Sequence, residues 1–213
     1  MEVGGLENGM IATLPSREFF DKDLSHLIAE PELKDHVVSL LDEYKDIRTL
    51  PLCGAWKISK WPDGLREDNK NKVYDQTLQL AKFCLFICGY FPEFPMLQAG
   101  SIEGLEQHAI TGEKLYNYAY YVGNKIMDNT KNISDSSALT LDHILDLDTI
   151  GEVGYNFRRL AKSIFQVRCK YDDSVLKLPR EARQVLIDVM NDHEPFEVIN
   201  IKSGVIPISP TLH

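Results

Sequence analysis

The sequence predicts an all-α protein: an irregular bundle of about six helices around one central apolar helix, with an extended C-terminal arm. Three observations carry this reading. Apolar residues recur at three- and four-residue spacing through most of the chain, as they do on the buried face of a helix. Prolines and polar clusters fall between those runs rather than inside them, where helices start and stop. The stretch 78–95, LQLAKFCLFICGYFPEFP, is almost wholly apolar up to a proline, and a helix apolar nearly all round belongs at the centre of a domain.

Taken in order, residues 1–14 hold glycines and little pattern and read as a loose tail. Ser16 stands where an N-cap belongs, opening a helix to about Glu30 with Phe20, Leu24, Leu27 and Ile28 as its apolar stripe. Pro31 suits the first position of a second helix, and Glu32 suits its positive end. Leu33, Val37, Leu40, Leu41 and Tyr44 carry that helix to about Arg48. Residues 51–71 break the pattern with Gly54, Trp56, Trp61, Pro62 and Gly64 and read as a long loop.

The central helix starts at the end of that loop, at about Asp68, and runs to Phe91. Val73, Leu80, Ala81, Cys84, Leu85, Cys88 and Phe91 mark its buried face, and Pro92 and Pro95 end it. A fourth helix spans about Ile102 to Asp128 and carries Tyr116, Tyr118, Tyr120 and Tyr121. Residues 129–137 form a polar linker. A short helix at about Leu139 to Leu147 leads into a fifth, about Thr149 to Arg168, with Val153, Phe157, Leu160, Ala161, Ile164 and Phe165 facing inward. Pro179 opens a sixth helix to about His193, so the helical domain covers residues 15–194. Residues 195–213 are rich in β-branched side chains around Lys202-Ser203-Gly204. With Pro207 and Pro210 they read as an extended arm.

The bulk composition narrows the function. A chain of 213 residues buries a core without disulfides or a structural metal. Its net charge of −9 argues against nucleic acid, which needs a basic surface, and against anionic lipid. The N-terminus lacks the basic and apolar runs of a signal peptide. The apolar centre of the third helix, 83–91, is short of the about 20 residues that cross a bilayer. Cys84 and Cys88 share one face of that helix and read as core filler, a pattern suited to a reducing cytoplasm.

One constellation stands out for chemistry. His108, Gly112, Tyr116 and Tyr120 follow at four-residue steps and form one ridge on the fourth helix. Glycine in mid-helix costs about 1 kcal/mol against alanine, so Gly112 needs a reason. Either it opens a pocket lined by the polar tips of His108, Tyr116 and Tyr120, or it admits a bulky side chain from the third or fifth helix. Arg158 would be the anion partner of such a pocket. With Arg159, Lys162, Arg168 and Lys170 it makes the fifth helix the most basic element. Those cations would bind the chain's own carboxylates or an acidic partner. Trp56 and Trp61 either lid the core or anchor a partner.

A carboxylate-bridged metal bundle would need two Glu-x-x-His motifs. The nearest match is a single Asp23-x-x-His26. Nucleophile-elbow, P-loop and dinucleotide patterns do not occur. Neither a metal nor a cofactor is expected.

Three segments together resemble a family of uncharacterised bacterial helical proteins. Leu85-Phe86, Gly89 and Phe91-Pro92-Glu93 fit an LF-x-x-G-x-FPE pattern, Gly112 and Tyr116 a G-x-x-x-Y element, and Phe157, Leu160, Ala161 and Phe165 an F-x-x-L-A-x-x-F element. The likeness covers roughly residues 73–167 and departs near Lys82, where an acidic residue is expected before the LF pair. These are mainly packing residues. The family carries no established activity, so the resemblance implies a helical fold and a bacterial origin and transfers no catalytic residue.

Two functional classes follow. One is a non-catalytic interaction or regulatory protein that binds a protein partner or a second copy of itself. The other is a protein or enzyme that binds a small, partly apolar molecule at the His108–Tyr120 ridge.

Overall fold

The computed structural model describes residues 16–44, 70–95, 103–131, 147–172 and 180–191. Among them are seven α-helices and no strand. They are α1 (Arg17–Leu24), α2 (Pro31–Glu43), α3 (Lys70–Tyr90), α4 (Glu103–Lys131), α5 (Leu147–Tyr155), α6 (Phe157–Tyr171) and α7 (Arg180–Asn191). The fold is all-α, as the sequence implies. The tail 1–14, Trp56 and Trp61, most of the long loop, residues 139–146 of the short helix and the arm 195–213 lie outside the described residues.

The helix ends follow local chemistry. Pro31 takes the first position of α2. α1 ends at Leu24, short of the predicted Glu30. The residue before a proline is driven to extended backbone, and Glu30 sits at φ −81°, ψ 116°. The chain leaves the helix after Leu24 in tight turns, with the Leu27 and Ile28 N–H groups both donating to the Leu24 carbonyl. Ser16 holds the N-cap position in extended backbone, but its side chain makes no capping bond.

The predicted fifth helix is two helices. Asn156 breaks it at φ −96°, ψ 13°. Its Nδ2 donates to the Glu152 carbonyl at 2.9 Å, an acceptor that also takes the Asn156 N–H at 2.9 Å. Such a local side-chain bond competes with the helical ladder.

The helix α3 is the hub. It packs chiefly on α4 and α6 and also touches α2. Every residue from Phe83 to Pro92 is buried. Each such large apolar side chain contributes about 1.5–3 kcal/mol by leaving water. Cys84 and Cys88 lie in this core as free thiols, and burial pushes Cys84 up to about 12. Thiols held protonated in this way are inert packing groups.

Two of the resembling segments pack against each other where α3 meets α6. A Cβ built on Gly89 of α3 would lie 2.6 Å from Ile164 Cβ of α6. Only a residue without a side chain lets these helices approach so closely. Just beyond α3, Glu93 pairs with Arg168 of α6 through two bonds of 2.7 and 2.8 Å. The same guanidinium donates to the Tyr90 carbonyl and, at 2.9 Å, to Asp172. It lies 5.0 Å from the Phe91 ring centroid and 5.4 Å from that of Tyr90. Arg168 is only 4% exposed. Burial alone would lower its pKa, but Glu93 and Asp172 outweigh that and raise it. The FPE element is thus one half of a buried arginine clamp.

Candidate functional site

The ridge on α4 is the natural place to look for chemistry, and each of its members has a neighbour inside the fold. Gly112 is filled from α6. A Cβ on it would lie 2.3 Å from Phe157 Cζ and 3.0 Å from Cys84 Cβ. Of the two uses left open for this glycine, admission of a bulky side chain describes its surroundings.

Tyr116 is fully buried, and its hydroxyl meets His36 Nε2 of α2 at 3.0 Å. The two rings stand edge to face with centroids 5.8 Å apart. Burial, with a smaller push from the Lys82 charge, lowers His36 to about 4. Burial raises Tyr116 far above an ordinary phenol. Both groups are therefore neutral at physiological pH, and neither is poised to exchange a proton.

The glycines of α5 complete this wall. A Cβ on Gly154 would come within 3.1 Å of Tyr116 Cβ, and one on Gly151 within 3.3 Å of the Tyr120 ring. His108 is half-buried at the other end of the ridge. Its Nδ1 donates to the Gly104 carbonyl at 3.3 Å, and burial lowers its pKa.

Arg158 turns inward. Its Nε donates to Glu113 Oε1 at 2.9 Å, with the two side chains 7% and 8% exposed. Isolated, either charge would cost several kcal/mol to bury. Glu113 lies 45 residues from Arg158, so helical spacing does not reveal the pair.

The remaining cations of α6 are also engaged within the chain. Arg159 reaches Glu30 at 3.0 Å, Lys162 reaches Asn191 Oδ1 at 2.6 Å, and Lys170 reaches Asp23 at 3.1 Å. Asp23 also accepts from the Tyr171 hydroxyl at 2.6 Å. That bond, then Lys170, lowers the Asp23 pKa. Asp23 of the Asp23-x-x-His26 near-match is thus engaged in an α1–α6 contact. Among the described residues no group of three or more His, Cys, Asp or Glu could hold a metal ion. No described helix is long and apolar enough to cross a membrane.

One surface feature escaped sequence reading. Phe19 of α1 is 53% exposed and Tyr171 of α6 is 43% exposed, and their rings meet edge to face at 5.8 Å. Phe19 neighbours the buried Phe20 in sequence, and nothing in the helical period singles it out.

No family model, curated protein or solved structure matches the chain.

Proposed function

We propose that this chain is a non-catalytic interaction protein whose helical bundle is a rigid scaffold for binding another protein. The observation that carries this reading is the internal use of the groups at the centre of the ridge. Tyr116 is bonded to His36, Phe157 fills the notch at Gly112, and Arg158 is paired with Glu113. A catalytic acid, base or nucleophile must reach substrate and change its protonation there. Groups buried, neutral or paired in this way support a fold rather than a reaction. The exposed Phe19–Tyr171 pair is the kind of aromatic surface that interfaces use.

The second reading, a small-molecule pocket, draws on His108. It is half-buried at the end of the ridge, and burial favours its neutral form. Native mass spectrometry of the gently purified chain separates the two. A bare monomer or dimer mass is expected. A reproducible adduct the size of a small molecule would overturn the interaction reading and identify the ligand.

A further inference from the structure

The outer face of α4 carries two exposed lysines on either side of a pair of tyrosines. Lys114, Tyr118, Tyr121 and Lys125 fall at steps of four, three and four residues. At 3.6 residues per turn they occupy an arc of about 60° and span about 16 Å along the helix. Lys114 and Lys125 are exposed, and both tyrosines are half-buried.

The tyrosine rings are stacked, with centroids 6.3 Å apart at 22°. Lys125 Nζ lies 5.6 Å from the Tyr121 ring centroid. The stripe is therefore a preformed aromatic plate with an ammonium group at each end.

No carboxylate lies between the two lysines on this stripe, and Asp128 follows Lys125 by three residues. Between Glu106 and Asp128, the one carboxylate on α4 is Glu113, and Glu113 is buried against Arg158. Elsewhere Lys34, Lys82, Lys170, Arg17, Arg159 and Arg168 each meet a carboxylate of this chain. Among the described residues Lys114 and Lys125 form no ion pair, and neither do Lys22, Lys72 and Lys162. On a chain of net charge −9, two such lysines flanking stacked tyrosines make a local field of the opposite sign.

We infer that this face docks an acidic amphipathic segment of a partner protein. Its carboxylates would lie near Lys114 and Lys125, and its apolar side chains would lie on Tyr118 and Tyr121. Aromatic rings supply contact area at little entropic cost, and the lysines supply orientation and encounter rate. This rests on the interaction reading above and names its surface and partner chemistry.

The test uses the full chain and a series of labelled helical peptides on one apolar scaffold, graded from acidic through neutral to basic. Fluorescence anisotropy reads the affinities at two salt concentrations. Affinity should rise with peptide acidity and weaken with salt. The Lys114→Glu/Lys125→Glu variant should lose at least about tenfold for the acidic peptide and reverse the order of preference. Lys22→Glu, an exposed reversal on α1, should leave the order intact. The inference is overturned by affinities independent of peptide charge, or by an order unchanged in the double variant. Tighter binding of an oligonucleotide of matched charge would overturn it too. Any of these, with the native mass still bare, leaves the interaction reading standing. A small-molecule adduct would instead remove the reading on which the inference rests.

Discussion

The two faces of α4 use similar residues to opposite ends. The inner face holds Gly112, Glu113 and Tyr116, and each meets a specific partner from α6 or α2. The outer face holds Lys114, Tyr118, Tyr121 and Lys125, whose ammonium groups meet no carboxylate among the described residues. A polar residue on a helix is thus not evidence of function by itself. What matters is whether its hydrogen-bonding and charge requirements are already met within the fold.

The largest break in this contrast should come from the buried ion pair. Arg158→Met leaves Glu113 without its cation and should cost about 3–5 kcal/mol in urea denaturation. The double variant Arg158→Met/Glu113→Leu should recover most of that loss, since a packed apolar pair can replace a buried salt bridge. Failure of the double variant to recover would mean that the pair does more than neutralise itself.

The burial of His36 gives a pH signature of similar size. The unfolded chain takes up a proton on His36 near pH 6.5, whereas the folded chain does so only at about 4. The unfolded state binds more protons in that window, so stability falls as pH drops through it. The loss should approach about 3 kcal/mol by pH 4. Replacing His36 by Leu should remove this part of the pH dependence. An unchanged slope in that variant would contradict the burial of a neutral imidazole. Tyr116→Phe, which strands the His36 acceptor or donor, should cost about 1–3 kcal/mol.

The outer face should respond least. Lys114→Glu/Lys125→Glu should change stability by no more than about 0.5 kcal/mol, because exposed charges without a carboxylate partner contribute little. A larger loss would show that these lysines also belong to the fold.

Much of the bundle was legible from periodicity. The stripes Leu33–Tyr44 and Val73–Phe91 appear in the structure as buried faces. The break at Asn156 was not legible, because Val153, Phe157 and Leu160 keep helical spacing across it. At the break the Asn156 side-chain amide joins its own N–H on the Glu152 carbonyl. The ridge was found by spacing, and both uses of Gly112 followed from its missing side chain. The occupant of the notch depends on a distance to Phe157, and spacing on α4 carries no such information. The Arg168 clamp was missed for the same reason: Glu93 lies 75 residues away.

The most direct measurement is the urea midpoint of Gly112→Ala. Helix propensity alone would raise stability by about 1 kcal/mol. A notch filled by the buried Phe157 ring should reverse that sign, with overpacking costing about 1–3 kcal/mol. A lower midpoint is the expected result. A higher one would mean that the inner face of α4 has room to spare, and would return the ridge to consideration as a binding site.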